Sequence, residues 1–404
     1  PPDGAPATFS FGKAAAGPLY GRSILPWDDR RAAAADGTRR AKLRNGKVFA
    51  TFVQNSIGGM EQNKRTQIAE LGEFGLIDKL TGAFAPRNRT TLRGVGDDAA
   101  VIAASRSEAT LVSTDLLMEG IDFDLTYFPL KHLGYKTVTV GASDILAMNA
   151  LPEQLLLSLG VSSKFSVEAL QEFYEGVRLA CEELNIDLAG GDTTASVTGL
   201  TVNVTAIGRA RRSDIVYRNG AKPNDLICIT GNLGAAYMGL QLLEREKRVL
   251  HDVENPEPQF AGHEYLLEKY LKPRARRDVI TALAEEKLRP TAMIDLSDGL
   301  ASDLLQICKA SKCGARIYLD RIPIAKQTYA LAEELHADPV VAALNGGEDH
   351  ELLFTVPLAM QEQVMKMGCV DVIGHITPES TGAYLVTPDG SDIRLRAQGF
   401  AEKE

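Results

Sequence analysis

The sequence predicts an α/β (α+β) protein arranged in two lobes, and three observations carry that expectation. Short apolar strands alternate with amphipathic helical segments from about residue 60 onward. A turn-rich stretch, Gly220-Ala221-Lys222-Pro223-Asn224-Asp225, interrupts this rhythm mid-chain. The 404 residues, 45% hydrophobic and 24% charged, have ordinary globular composition and suit about two domains. The expected division is 60–220 and 221–404, preceded by a distinct segment, 1–59.

The elements follow from local patterns. Leu71, Phe74, Ile77 and Leu80 recur at helical spacing, so Glu70 to Leu80 is a short amphipathic helix. Gly94 to Ile102 leads into a strand, and Thr110 to Thr114 is another, ending at Asp115. Leu130 to Met148 reads as a helix with Asp144 near its end. Leu155 to Val161 is strand-like, Val167 to Glu183 is an amphipathic helix, and Leu200 to Gly208 alternates as a strand. Beyond the turn-rich stretch, Leu226 to Thr230 is a strand and Gly234 to Glu246 a helix. His251 to His263, charged and holding two prolines, is a loop or linker. Pro273 to Glu286 is helical, Met293 to Leu296 a short strand, and Leu300 to Ser311 a helix. No short-period repeat is present.

Residues 1–59 differ from the rest, with nine Lys/Arg against four Asp, alanine runs and the single Trp27. A fusion, a translated upstream region or a mis-assigned start is the preferred reading, since Met60 is the first methionine. A targeting peptide and a disordered tail are the alternatives; four aspartates and the lack of a long apolar stretch argue against the former.

Net charge of −9 disfavours a nucleic-acid binder, and no apolar run reaches the roughly 20 residues of a membrane span. The five cysteines are scattered, odd in number and without a CxxC pair. They read as small buried side chains in a reducing, cytoplasmic setting, and a disulfide framework or zinc site is not expected.

The informative feature is the placement of acids. Asp97 and Asp98, Asp115, Asp144, Asp192, and Asp295 with Asp298 all fall at the expected ends of apolar elements. Rigid element ends aim short polar side chains into clefts. Carboxylates gathered this way would repel one another unless a cation joined them. Magnesium, a hard ion that prefers oxygen, fits an aspartate and hydroxyl set; the lack of a His/Cys cluster disfavours zinc. Each acidic motif taken singly reads equally as a turn or cap. Gly190-Gly191-Asp192 and Gly346-Gly347-Glu348-Asp349 read equally as loops whose glycines permit unusual backbone angles. His350 reads as a polar loop or helix residue rather than a general base. No P-loop, protein-kinase set, dinucleotide fingerprint or GxSxG elbow occurs.

In this order and spacing the motifs resemble the thiamine-monophosphate kinase family. That family lies within the superfamily of aminoimidazole ribonucleotide synthetase and selenophosphate synthetase. The resemblance rests on Gly72–Ile77, Gly96–Ala100, Ser113–Asp115, Ala142–Met148, Gly190–Thr193, Arg218–Pro223, Asp295–Leu300 and Gly346–Leu352, and covers about Glu70 to Phe400. It implies a subunit whose N-terminal αβ domain pairs in a homodimer and whose C-terminal αβ domain closes an ATP cleft. It implies a magnesium-dependent kinase with ATP and thiamine monophosphate as substrates. Asp98, Ser113, Thr114, Asp115, Asp144, Asp192, Asp295 and Asp298 are then expected at the metals. Tyr174, Gly191, Asp192, Arg218 and Ser297 are expected at the nucleotide, and Asp122, Glu348 and Phe400 at thiamine monophosphate. Asp115, Asp192, Asp298 and Arg218 are expected to be catalytic. Many members have histidine where this chain has Asp122; the carboxylate either pairs with the cationic thiazolium or aminopyrimidine or has no consequence. The alternatives are a sibling ATP-dependent synthetase, such as aminoimidazole ribonucleotide synthetase, and a non-catalytic binder of thiamine phosphates or nucleotides. The first cysteine, Cys181, lies well inside the fold, and the chain ends without a cysteine-bearing tail. Both features differ from those expected of a selenophosphate synthetase and a hydrogenase-maturation relative.

Overall fold

Odd-numbered residues of Glu108–Met118 are mostly buried and even-numbered ones mostly exposed or half-buried, as period-2 alternation requires of a strand covered on one face. This strand, β3, is the third of a first sheet. The computed structural model describes residues 71–250 and 258–397; residues 1–59 and Phe400 lie outside the described residues.

Helix α1 (Gly72–Thr81) precedes β1 (Thr91–Arg93), β2 (Ala100–Ala103) and β3. Next come α2 (Leu130–Ala147), β4 (Leu151–Val161), α3 (Val167–Leu184), β5 (Asp187–Ala195) and β6 (Thr201–Arg211). The sheet order is β1-β2-β3-β6-β4-β5, with β4 and β5 parallel and the other pairs antiparallel. Leu133, Val138 and Leu146 of α2 and Phe173 and Val177 of α3 pack against Leu155, Leu157, Val202 and Val204. Each fully buried side chain of this size contributes about 1.5–3 kcal/mol. The two helices cross closely because each has a glycine at the contact. A Cβ on Gly134 would lie 1.9 Å from the Phe173 carbonyl oxygen, and one on Gly176 would lie 1.8 Å from that of Lys131. Among the described residues the opposite face of the sheet carries no helix, and it exposes Ile102, Leu116, Met118 and Leu156.

The second sheet is assembled from β7 (Leu226–Thr230), β8 (Ala292–Asp295), β9 (Cys313–Tyr318), β10 (Leu352–Val356), β11 (Val370–Pro378), β12 (Ala383–Val386) and β13 (Asp392–Arg394). Its order is β13-β12-β9-β11-β7-β10-β8. Helices α4 (Ala235–Leu250), α5 (Glu264–Leu271), α6 (Arg277–Glu285), α7 (Leu300–Ser311), α8 (Lys326–Glu334), α9 (Pro339–Asn345) and α10 (Gln361–Lys366) accompany it. One face, with Ile227, Ile294 and Leu353, packs on Leu300, Leu304 and Ile307. The other, with Cys228, Met293 and Phe354, joins the core that surrounds α2 and α3. The described residues, 71–250 and 258–397, therefore fall in one compact unit containing both sheets.

Leu226–Thr230 and Leu300–Ser311 match their sequence readings end to end. Two aspartates do not sit where the pattern put them. The strand with Asp115 runs on to Met118, so Asp115 is interior. The Gly190-Gly191-Asp192 segment is likewise inside β5 rather than at an element end or in a loop. Cys181, Cys228, Cys308 and Cys313 are buried. Among the described residues no helix is long and apolar enough to cross a membrane.

Candidate active site

Four elements converge on one acidic centre. Asp98 lies in the bend before β2, Asp115 on the helix-covered face of β3, Asp144 in the last turn of α2, and Asp295 at the end of β8. Carboxylate oxygens of Asp98, Asp144 and Asp295 lie within 4.8 Å of one another. At that separation two unit charges repel by roughly 3 kcal/mol in a medium of effective dielectric 20. Three such acids must therefore share protons or a cation.

The electrostatics agree. Burial pushes Asp98 up to about 7, with Asp295 and Asp97 adding to the rise and Arg218 opposing it. Burial and then Asp295 push Asp115 up to about 6, with His350 opposing. Asp144 is raised well above the ordinary carboxylate range by burial and by Asp115, Asp295 and Asp98. Each acid is also held in place. Asp98 Oδ1 accepts from Arg218 Nη2 at 2.7 Å, Asp295 Oδ2 accepts from Ser143 Oγ at 2.6 Å, and Asp144 Oδ2 accepts from Ser113 Oγ. Asp98 Oδ2 and Asp115 Oδ2 are buried with no hydrogen-bond partner. An all-oxygen donor set with orphaned buried oxygens fits magnesium.

A pH dependence follows. The raised acids favour the protonated form when folded, so their contribution to stability is full below about 4, the unfolded value. It is lost as pH rises through 6 to 7, the folded values of Asp115 and Asp98. Metal-free protein is therefore expected to melt lower at pH 8 than at pH 5.5. Saturating magnesium should raise the pH 8 midpoint by about 4 °C and the pH 5.5 midpoint far less. Equal shifts at both pH values in a thermal melt would contradict the assignment.

A second group adjoins the acids. The β8–β10 pairing puts Leu352 opposite Asp295 and continues into the preceding loop. There Glu348 N–H donates to Ser297 O at 2.8 Å and His350 N–H donates to Leu296 O at 2.9 Å. Glu348 and His350 adopt left-handed backbone angles, φ 65° and 49°, which non-glycine residues seldom hold without purpose. His350 is buried between Asp295, 3.6 Å from Nδ1, and Glu348, 3.7 Å from Nε2. Burial lowers its pKa, but the two carboxylates outweigh this and lift it to about 9. Lys136 Nζ lies 2.6 Å from Glu348 Oε2. Asp122, half-buried, accepts from Met118 N–H at 2.7 Å. Burial and the neighbouring Glu348 raise its pKa, whereas Met118 N–H and Lys136 lower it. Asp122 thus feels the charges of both Glu348 and Lys136.

Ser297 and Asp298 sit exposed in the turn before α7. Although the surface of Asp298 is open, the surrounding protein partly desolvates its carboxyl, and this, with Glu73 and Asp295, pushes it up to about 6 against Arg218. Arg218 is spoken for by acids, through Asp98 and through its N–H to Asp97 Oδ1 at 3.0 Å.

Four expected residues lie elsewhere. Thr114 occupies the open face of the first sheet, bonded to Thr205 Oγ1 and Asn203 Nδ2 at 3.1 Å each. Asp192 pairs in register with Ser158 on that same open face, exposed on edge strand β5, beside Gly191. Tyr174 lines a cleft of about 550 Å³ along α3 and the start of β5, with Arg178, Glu182, Asn185, Asp187 and Leu188. Strands β6 and β4 separate this edge from Asp115.

Sequence reasoning passed over Lys136, and it named Ser143 only as part of the Ala142–Met148 motif, with no role at the site. Their spacing of seven places them on one helical face, two turns apart, which is the available signal.

The chain matches the family described as AIR synthase related protein over both parts: the N-terminal domain at residues 96–210 and the C-terminal domain at 222–386. It is 32% identical to the thiamine-monophosphate kinase of Bacillus subtilis over 82% of this chain and 99% of that one. Against the enzyme of the same name from Buchnera aphidicola subsp. Schizaphis graminum it is 35% identical, over 82% and 98%. The fold superposes on the solved structure of AaThiL complexed with AMPPCP and TMP with a TM-score of 0.70 at 30% identity, covering 83% of this chain and 99% of that chain. The motifs, the two-sheet fold and these likenesses agree: the chain belongs to the thiamine-monophosphate kinase family.

Proposed function

We propose that the chain phosphorylates thiamine monophosphate to thiamine diphosphate with ATP, by direct in-line transfer and with several magnesium ions. The observation that supports it is the convergence of buried Asp98 and Asp295 with half-buried Asp144, and the orphaned oxygens of Asp98 and neighbouring Asp115, beside Glu348 and Asp122. Acids suited to phosphate-bound metal therefore adjoin acids suited to a cationic ring.

The acceptor phosphate is already a competent nucleophile, so no strong base is needed. The obstacle is repulsion between two polyanions, and positioning with charge neutralisation overcomes it. Magnesium, when bound, would supply neutralisation of the phosphates' negative charge. Asp98, Asp115, Asp144, Asp295 and Asp298 would hold it, with Ser113 adding an oxygen. Ser297 would contact the nucleotide, and Arg218 would reach the nucleotide phosphates from its seat on Asp98. Glu348 and Asp122 would meet the thiazolium or aminopyrimidine. The division near residue 220 would place the cleft between the two sheets' domains.

Tyr174, Gly191 and Asp192 are too far along the sheet to join Asp115 within one chain. We propose that a second copy covers the open face, whose exposed Ile102, Leu116, Met118 and Leu156 would otherwise face water, and supplies them to the shared site. Turnover of thiamine monophosphate with ATP and magnesium tests the kinase reading; nucleotide binding without product would favour a sibling enzyme or a binding protein.

A further inference from the structure

Lys136 is only 1% exposed, in the middle of a helix whose neighbouring positions are also buried. A lysine is seldom buried unless paired. Its ammonium has three partners. It lies 2.6 Å from Glu348 Oε2, 4.2 Å from the centroid of the Tyr270 ring and 5.5 Å from that of Phe128. The two rings wall the ammonium in and add cation–π attraction.

Glu348 is asymmetric. Its Oε2 is sealed from solvent on Lys136, while the side chain as a whole remains 36% exposed. The loop that carries it is fixed by the Ser297 carbonyl and by a left-handed backbone angle. Stability alone is a weak reason for this pair, because well-packed apolar residues often replace a buried ion pair without loss. Both ends instead converge on the acceptor side of the site, with Asp122 in the same field.

We propose that Lys136 is a positioning residue for the acceptor substrate: it clamps one oxygen of Glu348 so that the rest of the carboxylate faces the cationic ring system of thiamine monophosphate. This rests on the kinase reading. Burial favours the neutral acid, but Lys136 and then His350 outweigh it and hold Glu348 below the usual carboxylate range. The negative charge the ring would meet is therefore sustained from behind. Lys136 also ties α2, which carries Ser143 and Asp144, to the loop after α9, so the acceptor pocket and the acidic centre share one support.

The test compares Lys136→Met, Lys136→Arg, Glu348→Gln and the double variant Lys136→Met/Glu348→Gln in the full chain. KM values for thiamine monophosphate and for ATP are read separately. Lys136→Met should raise the KM for thiamine monophosphate about 30-fold or more while that for ATP moves less than about 3-fold. Lys136→Arg, which keeps the charge, should recover most of the loss. The double variant carries no unpaired buried charge, and its KM should match that of Glu348→Gln alone within about 2-fold, because Lys136 acts through Glu348. An unchanged KM for thiamine monophosphate in Lys136→Met overturns the proposal. So do parallel losses for both substrates without recovery in Lys136→Arg, or a further tenfold loss in the Glu348→Gln background. Wild-type protein that makes no thiamine diphosphate overturns the kinase reading along with it. Active wild type with an indifferent Lys136 overturns the positioning role alone.

Discussion

Asp115→Asn is expected to lower turnover at least ~100-fold while the fold survives, the scale of losing one key electrostatic group. Asp115 points into the helix-covered side of β3, and its Oδ2 is buried without a partner. Amide for carboxylate conserves the shape and removes a charge that burial and Asp295 already disfavour. The metal-free variant should consequently melt no lower than wild type, while the magnesium-dependent rise at pH 8 shrinks. Asp192→Asn is expected to cost as much turnover, although Asp192 is exposed on β5 and outside the acidic centre of its own chain. Steady-state rates with circular dichroism as a fold control decide this. Near-normal activity in both variants would mean that the metal assignment is wrong.

The contrast between these two positions gives the second large effect. If Asp192 serves the acidic centre of a partner copy, Asp115→Asn and Asp192→Asn subunits complement each other. Each mixed dimer then has one site with both carboxylates and one with neither. Equal amounts, dissociated and reassociated, should regain about a quarter of wild-type activity from two nearly inactive proteins. If each site draws on a single chain, every site in the mixture lacks one carboxylate and nothing is regained. Recovery also needs the open face to be covered, so a charge on it, as in Leu116→Asp, should abolish complementation by keeping the copies apart.

How much of this was legible in the sequence depended on how each element is buried. Leu226–Thr230 is buried throughout and Leu300–Ser311 has a broad apolar face, so both ends of each were readable. Asp295 and Asp298 follow a compact apolar strand and were placed correctly at its end. Asp115 was misplaced to a strand end because Asp115, Leu116 and Leu117 break the alternation, although pairing with β6 continues to Met118. Strand β5 escaped altogether. Its residues are exposed or half-buried, and it is a strand only through its parallel pairing with β4. Lys136 was hidden for the opposite reason, since a lysine in a helix reads as a solvated face until its neighbours are known. His350 was read as a polar loop residue. It is buried because β10 pairs with β8, a contact between segments about 60 residues apart that no local pattern announces.

The most direct test of the central claim is to incubate purified protein with γ-labelled ATP, magnesium and thiamine monophosphate, following thiamine diphosphate, ADP and label on protein. The account predicts one ADP per thiamine diphosphate, label in the terminal phosphate, none trapped on the chain, and no reaction once EDTA removes the metal. ATP bound without product, or label held covalently by the protein, would contradict it.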